Sequence, residues 1–520
     1  MIGRSAVGAG LAGAREARPI RPGERIHVVG AAGAGASAAA LLAHHAGAVV
    51  SGCDPGGPSP YTPALIAADV PLDWEHDPEH VTAGRPDRLA VTKALTAVQP
   101  DHPELLAARS AGIAIEPWQQ VVADAAIGRT LIGVAGTHGK STSAGWLVHV
   151  LVHGGNDPSA FVGALLPSEI TGGPAATARW GSGAAFVVEA DEYAGNFDAY
   201  RPAIAIVTSA DWDHPDVFPD RAAVVAAFDT WLRRAAEGSA SPPTLIANVA
   251  DEGVAQLAAG LRDWPGQIVA TALVDAPAQR LASFGRGMAG EFGTAIGPAT
   301  AVLGRIADAT PEATTLEIHG LNPLRGAIPV ALRTAGRHNA ANALGVAAAA
   351  MAAGLDAGAI ATGLASFGGV GRRLERKGEA GGVVVYDDYG HHPTAIRETI
   401  AAIRQREPGR RVWAVYEPLT YHRTAALLEP FATALAEADA VAIADIWAGR
   451  DPDTSIASAS GLAEATGRRR PGLTIAAPGS VEDTAAWLAH EVKAGDAVLV
   501  MGGGQSYRIG ELLLAELERR

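Results

Sequence analysis

Along most of the chain, a run of four to six apolar residues gives way to a Gly-rich or acidic corner, then to an Ala/Leu-rich stretch with helical spacing. A strand buried on both faces reads as a continuous apolar run, so this alternation predicts parallel βαβ units. The first set runs from an apolar segment at 26–30 to about residue 125, with a second strand at 48–52. The next has apolar runs at 131–135, 185–188 and 203–207; residues 255–330 are rich in Gly, Pro and Thr and read as irregular or short antiparallel structure. Residues 340–353, almost wholly Ala, Leu, Met and Val, predict a buried helix. The last set has runs at 383–386, 412–416, 441–446, 473–476 and 497–501, one strand and one helix each, hence an open sheet of five or six strands. Linkers fall near Gly128 and at 367–369.

A length of 520 residues exceeds what one core usually serves, and three domains fit the pattern. We expect an α/β protein with mostly parallel sheets: a flexible extension at 1–22, a Rossmann-like domain at 23–127, a P-loop ATPase domain at 128–369 and a second Rossmann-like domain at 370–520. The extension carries Arg4, Arg15, Arg18 and Arg21 around a weak apolar stretch, which is poor material for a signal peptide. With no apolar run of about 18 residues to span a bilayer, the expected location is the cytoplasm. A net charge of −14 argues against a general nucleic-acid binder, and the single cysteine, Cys53, excludes an internal disulfide and a thiolate cluster. Lysine occurs only at 93, 140, 377 and 493, so a lysine in a chemically demanding place is not background.

Lys140 is in such a place. Gly136, Thr137, His138, Gly139, Lys140, Ser141 and Thr142 follow a strand and open an apolar helix, where backbone amides can cradle phosphates, Lys140 can reach the β/γ-phosphates and Ser141 can ligate Mg²⁺. The loop is shortened, with Val134 where the usual spacing has Gly. A phosphate-bound Mg²⁺ needs carboxylate at the next strand end, and Glu189, Asp191 and Glu192 supply it, Glu189 being first out of the strand. One strand later come Asp211, Asp213 and His214, the last a candidate metal or substrate ligand. Asn339 and Asn342 could read an adenine edge or merely cap a helix. Arg373 could close over a triphosphate. Asp387, Asp388, Tyr389, His391 and His392 crowd another strand end, where substrate or ribose contacts fit better than zinc, because adjacent ring nitrogens rarely share one ion. The opening turn, Gly30, Gly33 and Gly35, is spaced G-x-x-G-x-G and not as a dinucleotide fingerprint; it suits close approach of a diphosphate, with Asp54 placed for a ribose. A dehydrogenase built on that turn would leave Lys140, Glu189 and His214 without roles.

Taken in order, the P-loop, Glu189 to Glu192, Asp213–His214, residues 336–343, Gly369 to Arg373, residues 387–393 and residues 421–424 resemble the Mur ligase family, the ATP-dependent amide ligases of peptidoglycan precursor assembly. The resemblance spans about residues 26–504. It implies ATP and Mg²⁺ as cofactors, UDP-N-acetylmuramate and L-alanine as the molecules joined, and a monomer or homodimer. It assigns Lys140 and Ser141 to ATP and Mg²⁺, Glu189 to a first Mg²⁺ and His214 to a second. Asn339 and Asn342 would meet adenine, Arg373 and Asp388 the nucleotide, and Gly30, Gly33, Gly35, Ser37 and Asp54 the UDP-sugar. Tyr389, His391, His392 and Arg423 would contact substrate. Two departures bear on the amine. Pro418, Leu419, Thr420, Tyr421, His422, Arg423 and Thr424 lack a His-Arg pair that L-alanine-joining members carry, leaving Arg423 alone. The Glu-Ala-Asp-Glu-Tyr form of residues 189–193 is similar to members that attach a whole tripeptide. A degenerate ATP-binding homologue is the non-catalytic alternative.

Overall fold

The structure, a computed structural model, describes residues 7–237, 239, 241–279, 300–321, 326–449, 451 and 453–520. Three sheets follow one another along the chain. The first has five parallel strands, Arg25–Val29 (β1), Val49–Cys53 (β2), Leu72–Asp73 (β3), Arg88–Val91 (β4) and Ala114–Pro117 (β5), in the order β3-β2-β1-β4-β5. Alternation sorts its faces: Ile26 and Val28 pack with Leu42 of the helix Ala34–His45, while Val29 joins Cys53, Leu89 and Leu105 on the other side.

The middle sheet has ten strands: Thr130–Ala135 (β6), Ser159–Leu166 (β7), Ala176–Arg179 (β8), Ala185–Ala190 (β9), Ile204–Val207 (β10), Thr244–Asn248 (β11), Gln267–Leu273 (β12), Thr300–Ala309 (β13), Thr314–His319 (β14) and Ile328–Leu332 (β15). Their order is β15-β14-β13-β12-β11-β10-β6-β9-β7-β8. It is parallel through its centre, with antiparallel pairs β13/β14, β14/β15 and β7/β8 at the margins. The described parts of residues 255–330 hold the antiparallel pairing expected of them, in β13–β15, and add the parallel strand β12; residues 280–299 and 322–325 lie outside the described residues. Against one face lie the helices Lys140–His153 and Arg337–Ala352, with Leu147 and Leu151 of the first and Ala343, Leu344 and Ala347 of the second in one core. Alanine lets the buried helix approach closely, which is why its pattern reads as apolar all round.

The third sheet runs Glu375–Ala380 (β16), Val383–Asp388 (β17), Arg411–Glu417 (β18), Ala440–Ala444 (β19), Thr474–Gly479 (β20) and Asp496–Gly502 (β21), in the order β16-β17-β21-β18-β19-β20. Both faces are covered, by Val384, Val412 and Tyr416 on one side and Val383, Trp413 and Val500 on the other. The polar edge strand β16 pairs antiparallel with β17 and left no apolar signature.

The amino-terminal segment departs from expectation. From Val7 onward it straps the first sheet instead of hanging free. The Ala12 amide donates to the Ile115 carbonyl (2.8 Å), and Arg15 pairs with Glu116 (2.8 Å) and Asp124 (2.7 Å). The reason is electrostatic: Glu24, Glu116 and Asp124 are buried around Arg88, and a buried carboxylate needs cationic partners. Arg4 lies outside the described residues.

Candidate active site

The carboxyl ends of β6, β9, β10, β17 and β18 converge on a cavity of about 720 Å³, reached from all three sheets. At its floor the chain turns from β6 into the helix Lys140–His153. Gly136 has φ +132° and Gly139 φ +80°; a Cβ at Gly139 would stand 2.6 Å from Asn342 Oδ1, so the loop is both left-handed and too tightly covered for a side chain.

Lys140 is half-buried among acids. Its Nζ donates to the Gly136 carbonyl (2.7 Å) and Glu192 Oε2 (3.0 Å), with Asp191 at 3.7 Å. Burial works against its charge, but Glu192, Asp191 and Glu189 outweigh that and raise its pKa. Three carboxyls around one ammonium leave one under-compensated: burial and Asp191 push Glu192 up to about 7, against the pull of Lys140. Ser141 Oγ donates to Glu189 (2.9 Å), whose other oxygen accepts from the Gly163 amide (2.6 Å). Glu189 lies inside β9, opposite Val134, and not just past the strand end. Arg373 reaches over from the segment before β16 to donate to Ser141 Oγ (2.8 Å).

The expected metal set divides. Ser141 and Glu189 are adjacent, whereas His214 sits across Lys140 with Asp191 and Glu192, the three offering ligand atoms within 4.8 Å of one another. Burial lowers the His214 pKa to about 4, so its ring is neutral near pH 7, and its backbone is left-handed at φ +55°. Sequence reasoning gave Asp211 no role; here His138, Asp211 and His392 form a second such trio, with the two rings 4.5 Å apart.

Other candidates are spent on the protein itself. Arg423 lines the cavity, but its Nε donates to Asp213 (2.8 Å) and Nη2 meets His214 Nδ1 (3.1 Å), so its guanidinium is no open receptor for a carboxylate. Both oxygens of Asp388 accept backbone amides, from Leu374 (2.8 Å) and Gly390 (2.7 Å); it shapes the corner that presents Arg373. Asn339 donates to the Ala335 carbonyl (2.8 Å), the behaviour of a residue that starts a helix, while Asn342 remains over the P-loop. Tyr389 lies under Arg372 and Arg373, and His391 accompanies it on the cavity wall. Thr142 lines the same cavity.

Of the opening turn, only Gly35 lines it, and a Cβ there would strike the Trp118 ring at 2.2 Å, so packing alone demands that glycine. Gly30 needs its positive φ of +81° for the turn; Gly33 caps the helix Ala34–His45. Ser37 is buried against Ala34 and Thr177, joining the first sheet's helix to β8, and Asp54 accepts the Ala32 and Gly56 amides. A second cavity, about 710 Å³, collects Arg333, Arg372, Arg376, Lys377 and Arg406 beside Tyr61. Sequence reasoning missed it because its cations come from separate stretches with no shared motif.

Residues 25–130 match the family described as Mur ligase family, catalytic domain; residues 134–350 match the Mur ligase middle domain, and residues 372–504 the Mur ligase, glutamate ligase domain. The UDP-N-acetylmuramate–L-alanine ligase of Frankia casuarinae is 34% identical over 522 residues, covering 95% of this chain and 98% of that protein. The enzyme of the same name from Kineococcus radiotolerans is 36% identical over 500 residues, covering 95% and 97%. Among solved structures, the UDP-N-acetylmuramate-alanine ligase MurC of Thermotoga maritima superposes with a TM-score of 0.73 at 21% identity, over 95% of this chain and 99% of that one. A murein peptide ligase of Psychrobacter arcticus gives 0.67 at 24% identity, over 96% and 99%.

Proposed function

The chain belongs to the Mur ligase family, and from that premise we propose that it joins L-alanine to UDP-N-acetylmuramate at the expense of ATP, in peptidoglycan precursor synthesis. The lactyl carboxylate attacks the γ-phosphorus and ADP leaves, giving an acyl phosphate. The α-amine then attacks the acyl carbon, phosphate departs with the C–O electron pair, and the amine gives up a proton as the amide forms. The observation that carries this reading is the single cavity where a P-loop lysine, a row of carboxylates and the Arg373, His391 and His392 side chains meet.

Lys140 supports the first step, because two anions must approach and a fixed positive charge there lowers that barrier. On ATP binding it would exchange Glu192 for phosphate oxygen. Arg373, already beside Ser141, would follow the transferred phosphoryl group. Arg423 holds Asp213 and His214 in place. Closure of the three domains around the bound substrates would exclude water from a reactive anhydride. Ser141 and Glu189 suit Mg²⁺, being hard oxygen donors beside which the Arg373 guanidinium already rests, so the pair favours positive charge. The neutral ring of His214, with Asp191 and Glu192, would hold a second ion. Bound there, Mg²⁺ supplies charge neutralisation for the phosphates. Among the described residues no helix is long and apolar enough to cross a membrane, in keeping with work in the cytoplasm on dissolved substrates.

A phosphate-release assay with ATP, UDP-N-acetylmuramate and a panel of amines tests the assignment. L-alanine should give the highest kcat/KM, above glycine, L-serine and the L-Ala-γ-D-Glu-diaminopimelate tripeptide, and oxygen-18 in the sugar carboxylate should appear in the released phosphate. The residues 189–193 specifically favour the tripeptide as the second reading, and a preference for it would replace L-alanine. Release with no isotope transfer would reject the acyl phosphate.

A further inference from the structure

Beneath the first sheet, on the face away from the helix Ala34–His45, a chamber is closed by the helices Glu79–Thr82 and Pro103–Ala111, whose Val81 and Leu105 pack on Val29 and Leu89. Into it point four imidazoles, a carboxylate and the sole thiol of the chain. Glu104, fully buried, is the hub: His27 Nε2 lies 3.1 Å from Oε2, while His76 Nδ1 (3.3 Å), His80 Nδ1 (3.3 Å) and Cys53 Sγ (3.2 Å) surround Oε1. One ligand atom each from His27, Cys53, His80 and Glu104 lies within 4.8 Å of the other three; His76, His102 and Glu104 make an overlapping trio.

We propose that this chamber is a zinc site, with His27, Cys53, His80 and Glu104 as ligands and His76 and His102 forming its wall. The separations from Glu104, 3.1 Å to His27, 3.3 Å to His80 and 3.2 Å to Cys53, lie near the roughly 3.3–3.7 Å between ligands of a tetrahedral ion with Zn–N near 2.0 Å and Zn–S near 2.3 Å, and the other pairs lie within 4.8 Å. The outer nitrogens of both ligating rings are held: His27 Nδ1 faces Ser51 Oγ (2.9 Å) and His80 Nε2 faces Asp73 (3.2 Å). That is how a protein fixes the tautomer and aim of a metal-bound imidazole. A thiolate and a carboxylate together neutralise one divalent ion, and a mixed S, N and O set suits zinc above harder cations. His102 supplies an independent sign. It is 1% exposed, its ring is edge-on to His76 at 4.3 Å, and neither ring nitrogen has a hydrogen-bond partner among the described residues. A buried imidazole with no partner calls for an explanation, and a polar guest held in the chamber beside it supplies one.

The site is structural, since none of its six residues lines the catalytic cavity. It bears on substrate all the same: the Cys53 carbonyl accepts the Gly30 (2.8 Å) and Ala31 (3.0 Å) amides, so the ion would anchor the opening turn and the neighbouring Asp54. The residues come from two strands, a loop and two helix starts, with only the His76/His80 pair at helical spacing, so no metal motif shows in the sequence.

Full-length, tag-free protein purified without chelator should carry about one zinc per chain by elemental mass spectrometry. After chelation and reloading with Co²⁺, a near-ultraviolet thiolate-to-cobalt band should appear; with one cysteine in the chain, it can come from nowhere else. Folded Cys53→Ser should lose the band and most of the zinc. Should that variant not fold, the wild type decides: chelation should lower its melting temperature and added Zn²⁺ should restore it. Wild-type protein that is zinc-free as purified, and takes up neither Zn²⁺ nor Co²⁺ with a thiolate band, overturns the proposal. So does undiminished zinc in folded Cys53→Ser/His80→Ala.

Discussion

Around Lys140 the chain concentrates three carboxylates on one ammonium, and in the proposed reaction that ammonium would turn to the phosphates of ATP. Lys140→Ala should therefore reduce turnover by at least about 10²–10³, the usual cost of deleting one preorganised electrostatic stabiliser, read as phosphate release at saturating substrate. A second residue-scale effect is tied to pH. Burial, helped by His153, lowers the His149 pKa to about 4; its ring stacks on His153 at 3.9 Å and bonds Ser366 Oγ at 2.9 Å. The unfolded chain takes up that proton near pH 6.5 while the folded one refuses it until about 4, so the stability tied to this group falls as pH drops through that window. The wild-type advantage over His149→Gln in urea midpoint should shrink between pH 7 and pH 4.5; a constant gap would contradict the shift. Such details were not legible in sequence. Lys140 announced itself by rarity and position, but nothing in the local run around Arg423 or Asp388 shows that Asp213 and two backbone amides claim them first.

Among elements, the amino-terminal strap has the clearest consequence. Burial alone would raise the Glu24 carboxyl, yet Arg18, the Arg21 amide and Arg88 hold it down at about 2. Removing residues 1–20 takes Arg15 and Arg18 from Glu24, Glu116 and Asp124, and a charged hydrogen bond lost from a buried group costs about 1.5–3 kcal/mol. The truncated protein should unfold at lower urea than the full chain, with the loss concentrated in the first domain by hydrogen exchange. The strands and helices themselves were largely legible, because burial on both faces forces continuous apolar runs. Two kinds of element were not. The edge strand β16 reads polar since one side faces solvent, and the parallel strand β12 lies in a Gly-, Pro- and Thr-rich stretch that reads only as irregular or short antiparallel structure.

At the scale of the molecule, catalysis depends on how the third sheet seats on the second. Thr394 donates to Asp211 (3.0 Å), the His392 ring meets the Trp212 carbonyl (3.1 Å), and Arg373 lies on Ser141. Arg373→Ala should lower kcat by about 10²-fold with a smaller change in KM for ATP, because on the proposed assignment the loop at 136–142 would still bind nucleotide while the group proposed to follow the phosphoryl transfer is missing. A raised KM for ATP with kcat unchanged would instead make Arg373 a ground-state binder.

What the sequence determined by itself is whatever depends on neighbours along the chain: the βαβ rhythm, the Gly-rich turn that carries Lys140, the row of acids at successive strand ends and the family they spell out together. Only the tertiary structure decided which donor meets which acceptor. It gave Arg423 to Asp213, put His214 beside Asp191 and Glu192, tied the first residues to the first sheet, and gathered Cys53, Glu104 and four histidines into one chamber. The physical reason is that local conformation answers to propensity and periodicity over a few residues, whereas the state of a buried charge is set by whatever the fold brings within about 4 Å of it, from any distance along the chain.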